Sequence, residues 1–123
     1  MLTDQPLRIL AIGVGVLLLF YGVDKILHGI DFIVILLKEH HVPFPDYLAY
    51  AVYLGEVLAP LMLIVGRYVP IAGALIVINM LVAIFLVHSD NLFGIVENGA
   101  WSIEIPMLYL LIGVVLASTY KPK

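Results

Sequence analysis

There is no cysteine anywhere in this 123-residue chain. That absence excludes disulfide exchange, persulfide relay, thiolate metal sites and iron–sulfur ligation on this polypeptide. Four-helix membrane enzymes that pass electrons between dithiols and quinones are excluded with them, although their size would fit. Charge is scarce too: Lys, Arg, Asp and Glu make up 12% of the residues, with a formal net charge of -3. No basic cluster is present, which argues against nucleic acid as a partner and against a surface role driven by lipid charge. Histidine occurs four times, at His28, His40, His41 and His88. None forms a mid-membrane pair, so no metal site, haem or covalent cofactor is assigned, and His28, His40 and His41 are read as exposed.

What the chain does have is apolar surface. At 63% hydrophobic residues, a water-soluble domain of this size would have too little polar surface to cover itself. The fold class is therefore all-α, a single integral membrane domain over 1–123 built as a four-helix bundle, with the lipid bilayer as its first partner. Four stretches, about 7–27, 47–66, 68–87 and 101–120, each approach the ~20 residues that cross a ~30 Å hydrocarbon layer. The first ends in Gly22-Val23-Asp24-Lys25, without a small-residue cleavage pattern, and three more follow it, so it is read as a retained span. Arg8, Arg67, Lys121 and Lys123 fall on the side of the termini and only Lys25 and Lys38 on the other, which places both termini in the cytoplasm.

Between the first two spans, about 29–41, the run Phe32-Ile33-Val34-Ile35-Leu36-Leu37 is too short to cross and too apolar for a free loop. A short interfacial or re-entrant helix fits it, forming a lid on the outer face. Val42-Pro43-Phe44-Pro45-Asp46 then predicts extended backbone before the second span. Tyr47, Tyr68, Trp101 and Tyr120 mark span ends, where amphipathic rings favour the headgroup layer. Gly13, Gly15, Gly22 and Gly29, with Gly73 and Ala74, let helix backbones approach closely. Asn98-Gly99 reads as a turn and Ser102 as a cap that puts Glu104 in the first turn of the last helix.

The polar side chains carry the functional argument. Glu56 is the single charge in the stretch Tyr47 to Gly66, where burying it costs on the order of 3 kcal/mol. Pro60 follows four residues later, so the Glu56 carbonyl loses its helical donor. Glu56 lies nine residues in from Tyr47 and Asn79 nine residues back from His88, which puts both ~14 Å below the outer boundary. Asp24, Lys25, His88 and Glu104 form a shallower layer within about one turn of that boundary. The two layers suggest a polar funnel opening outward, with Tyr50 and Tyr53 as donors to Glu56 or to a ligand. Asn79 and His88 face opposite sides of one helix and cannot both line it.

Each residue also has a plainer reading. Glu104 suits the helix dipole, His88 an interfacial position, and Asn79 a bond to a neighbouring helix. Asp24 and Lys25 mark where the first span leaves the membrane, and Glu56 is a protonated or lysine-paired structural carboxyl.

Tyr21-Gly22-Val23-Asp24-Lys25-Ile26-Leu27-His28-Gly29, Val42-Pro43-Phe44-Pro45, Tyr53-Leu54-Gly55-Glu56, Gly66-Arg67 and Glu104-x-Pro106 occur in that order along the chain. Together they resemble the DoxX family of small four-span bacterial membrane proteins. The ending Ala117-Ser118-Thr119-Tyr120-Lys121-Pro122-Lys123 departs from the glycine-rich tail usual there. The resemblance implies a redox-associated subunit of the bacterial inner membrane. Relatives include the small subunit associated with thiosulfate:quinone oxidoreductase, and others are linked to oxidative-stress complexes with soluble partners or to quinone resistance. Lys25, Glu56, Arg67 and Glu104 fall on the family's recurring pattern.

The first functional expectation is an auxiliary, non-catalytic component of an oxidoreductase or redox-stress system that holds a quinone or similar small molecule in the funnel. Glu56 would handle protons, Lys25 and Glu104 would orient ligand or lid, and electrons would come from a soluble or membrane redox partner. The second is a small proton-coupled transporter using Glu56, which would require a homo-oligomer or a path through the apolar inner half. The third is an assembly or scaffold protein whose lid recruits a soluble partner.

Overall fold

The computed structural model describes residues 4–88, Gly94 and 103–119, with Val87 and His88 described by backbone alone. Among these residues every regular element is helical and no strand occurs. Helix α1 spans Gln5–His28. The Asp4 carboxylate caps it by accepting from the Leu7 amide at 3.3 Å, and Pro6 sits in the first turn, where its missing N–H is not needed. The helix stops at Gly29 (φ 85°), whose amide returns to the Lys25 carbonyl at 2.8 Å.

Helix α2, Asp31–Glu39, is the short element expected between the first two spans. Its apolar stripe is narrow: Ile33 and Leu37 are buried with Ile30, Ala49 and Leu86, and Val52 and Tyr53 pack alongside. Positions one turn apart share a face, so this stripe docks the helix across the bundle end. The expected extended backbone over 42–46 ends sooner than read. Pro45 is the first residue of the next helix and Asp46 lies in its first turn. Proline is preorganised for a first helical turn, and the left-handed Phe44 (φ 53°) makes the bend before it.

Helix α3 runs Pro45–Val65 and is irregular. After one α turn it passes through a 3₁₀ turn at Ala49–Ala51 and a π turn at Leu54–Leu58 before resuming as α from Ala59 to Val65. Gly66 (φ 85°) closes it, donating to Met62 at 2.8 Å in the left-handed conformation that a side chain would resist. Helix α4, Val69–His88, and helix α5, Glu104–Ala117, complete the described chain.

By length and composition α1, α3 and α4 can each cross a bilayer. Helix α5 is equally apolar but has 14 described residues. The ends of the expected fourth span, including Trp101, Ser102 and Tyr120, lie outside the described residues, as does the turn at Asn98-Gly99. The helices pack α1 on α3, α3 on α4 and α4 on α5, with a lighter α1–α5 contact closing the ring. The core is Ala11, Val14, Leu18, Ala59, Leu63, Ala72, Ile76, Met80 and Leu116. Ile9, Leu17, Phe20, Ile71 and Ile78 point outward, as suits side chains solvated by acyl chains.

Candidate functional site

The site begins with a missing hydrogen. Pro60 has no N–H to give the Glu56 carbonyl. Just before it the backbone widens into the π turn, with the Ala59 amide reaching back to Leu54. Single π turns of this kind insert one residue into a helix and re-aim the side chains around it, and they recur at functional sites. Here the side chain within the turn is Glu56, which is buried.

Two glycines let neighbouring helices close on this turn. A β-carbon on Gly22 of α1 would strike the Glu56 carbonyl and come within 2.8 Å of Val57 Cγ2. On the other side, a β-carbon on Gly55 would lie 2.5 Å from Asn79 Cβ and 2.7 Å from its Cγ on α4. The π turn is thus held between α1 and α4, its Glu56 carbonyl against Gly22 and its Gly55 against the Asn79 side chain.

Lys25 follows Gly22 by three residues and so rises from the same face of α1. Its ammonium meets the carboxylate: Lys25 Nζ lies 2.7 Å from Glu56 Oε1, with the two side chains only 11% and 8% exposed. The lysine was read as one of a shallower layer. Its side chain instead reaches down along the helix and joins that layer to the deeper one. The ammonium also lies 5.8 Å from the centroid of the Tyr21 ring and 5.9 Å from that of Phe32, within cation–π range of both. Tyr53 donates from its hydroxyl to the Lys25 backbone carbonyl at 3.2 Å, tying α3 to the end of α1. Its hydrogen bond goes to that carbonyl rather than to Glu56. Tyr50 is exposed and stacks at 6.3 Å on Tyr53.

The remaining candidates are placed elsewhere. Asp24 points to the surface, where its carboxylate pairs with His28 Nδ1 at 2.9 Å. Glu104 is exposed in the first turn of α5. Asn79 is half-buried against Gly55, next in sequence to Glu56. His88 ends α4, and its side chain lies outside the described residues. Among the described residues, no group of three His, Asp or Glu side chains is arranged to hold a metal ion.

One histidine corrects its expectation. His40 is half-buried rather than exposed, with Nε2 3.2 Å from the Leu86 carbonyl and its ring 4.7 Å from that of Phe85. Donation to the carbonyl makes Nε2 the protonated nitrogen. The physical reason is the docking of α2, which carries the residue just past its C-terminus onto the end of α4. His28 and His41 are exposed as read.

An ion pair this dry has an energetic signature. Desolvating both charges costs several kcal/mol, and mutual attraction repays this only with good geometry and further hydrogen bonds, so apolar residues of similar volume are often at least as stabilising. Stability alone is a weak reason for the pair. Chemically it offers an ammonium with donors to spare and a carboxylate that accepts protons, beside aromatic faces.

A family model described as DoxX matches residues 7–89, about two thirds of the chain. Lys25, Tyr53, Glu56 and Asn79 fall inside the match and Glu104 outside it. No curated protein and no solved structure matches the chain.

Proposed function

This chain belongs to the DoxX family of membrane proteins, and we propose that it serves an oxidoreductase or redox-stress system as a subunit holding a quinone or similar small molecule at the Lys25–Glu56 pair. The pair's burial between α1 and α3, with aromatic rings over the ammonium, is the observation that carries this reading. Lys25 donates a charge-assisted hydrogen bond to a ring carbonyl, and Glu56 accepts from a ring hydroxyl when the ligand is reduced. Full reduction of a quinone adds two electrons and two protons, giving the hydroquinone. The electrons come from a partner subunit, soluble or in the membrane, because this cysteine-free chain brings no thiol couple of its own. Glu56 passes protons, and Tyr53 and Asn79 fix the backbone that aims it. The pair lies at the outer end of the bundle in the bacterial inner membrane, with both termini cytoplasmic.

The test is a titration of purified protein with a short, water-soluble quinone analogue. Native protein is expected to bind, and Glu56→Gln and Lys25→Met each to bind about tenfold or more weakly, as loss of one charge-assisted hydrogen bond predicts. Indistinguishable affinities for the three proteins refute the role.

A further inference from the structure

The outer side of the pair is covered by α2, and its flank by two half-exposed aromatic residues. Helix α2 is fastened over the bundle end by Ile33 and Leu37, packed with Leu86 and Ala49, and by the His40 bond to the Leu86 carbonyl. Its first turn places Phe32 beside the Lys25 ammonium, which Tyr21 from α1 also approaches. Those two rings are 51% and 42% exposed, while the charged groups behind them are almost fully covered. Leu17, one turn before Tyr21 on the same face of α1, and Ile35, one turn beyond Phe32 on α2, are also exposed and apolar. A surface of this kind on a membrane-spanning helix faces acyl chains or the inner headgroup boundary, not a water-filled vestibule.

From this arrangement we infer that the pair is reached sideways from the lipid, between Tyr21 and Phe32, and that its ligand is a lipid-partitioning planar carbonyl compound with an apolar tail. The inference rests on the ligand reading given above and narrows it. A planar ring passing between two aromatic side chains exchanges the cation–π contacts of Lys25 for stacking on the same faces. Its carbonyl then meets the ammonium 5.8–5.9 Å behind the ring centroids. An apolar tail stays in the hydrocarbon along Leu17, exposed one turn deeper on the Tyr21 face of α1, so only the head of the molecule is desolvated from the membrane. A ligand entering from the aqueous side would have to displace α2 and the His40 contact instead.

The chain has no native cysteine, so labels go where they are placed. Tyr21→Cys and Phe32→Cys, each carrying a nitroxide in proteoliposomes, are expected to be relaxed by lipid-dissolved oxygen and shielded from an aqueous nickel chelate. Strong relaxation by the nickel chelate at both positions overturns lateral access while leaving the ligand reading intact. In the double variant a reducible bifunctional thiol cross-linker closes the gap. Cross-linking is expected to slow association of a long-tailed quinone about tenfold or more relative to the same variant left open, with the open variant's rate returning on reduction. An unchanged rate after complete cross-linking overturns the inference alone. Failure of the native protein to bind either a tailed or a short quinone overturns the ligand reading and the inference with it.

Discussion

The Lys25 ammonium and the Glu56 carboxylate meet at 2.7 Å across the α1–α3 contact, three residues beyond the glycine that lets those two helices touch. Gly22 sets the separation of the helices, and the π turn sets which way Glu56 points. The pair is the product of both.

If the two charges compensate each other, removing one must strand the other. Glu56→Leu and Lys25→Met are each expected to lower stability by about 3–5 kcal/mol, whereas the double variant Lys25→Met/Glu56→Leu recovers most of the loss. Unfolding in detergent micelles, read as a double-mutant cycle, measures the coupling. Strictly additive losses would show that the ion pair is not the interaction that matters.

Gly22→Ala places a methyl group against the Glu56 carbonyl and Val57. Backbone must move, so a loss of about 1–3 kcal/mol is expected from overpacking. Gly13→Ala, on the same helix with nothing within 4 Å of the new carbon, should be neutral or stabilising by up to about 1 kcal/mol. Equal thermal shifts for the two variants would contradict the assigned contact.

Pro60→Ala restores the donor that an α-helix would offer the Glu56 carbonyl. The expected outcome separates stability from aim: the helix is retained or gains stability, while the Lys25–Glu56 coupling energy in the double-mutant cycle falls by at least half. A coupling energy equal to that of the native chain would mean that the π turn does not orient the carboxylate.

His40→Ala removes the bond to Leu86 and the ring contact with Phe85. Hydrogen exchange of the α2 amides should speed up in line with a loss of about 1 kcal/mol, the net worth of one such bond. His41→Asn, which tolerates the left-handed backbone (φ 58°) of that exposed position, should leave exchange unchanged. Identical protection in both variants would show that α2 is held by its apolar stripe alone.

Much of this was readable from residue order. Glu56 stood out because it is the lone charge in an apolar stretch, and Pro60 marked its carbonyl as a broken link. Glu56 lies in the π turn and Pro60 just beyond it, although the turn itself was not legible: a missing donor frees a carbonyl without dictating how the backbone relaxes. Lys25 was set in a separate, shallower layer because depth counted along a helix axis locates the backbone, and a lysine head travels several ångströms from it. Gly22 was read as a packing residue without its partner, since which helices meet is a tertiary fact. His40 was misjudged for the same reason, its environment being supplied by a residue from α4 far along the chain. The helix began at Pro45, earlier than the extended stretch suggested, because proline disfavours helix for the residue before it and favours helix starts at itself.

The central claim, that the Lys25–Glu56 pair handles the head of a redox-active ring, is met most directly by infrared difference spectroscopy of protein in lipid with bound quinone, taken before and after chemical reduction. The account predicts a carboxyl band that changes on reduction in native protein and is missing from the difference spectrum of Glu56→Gln. Identical difference spectra from the two proteins would contradict it.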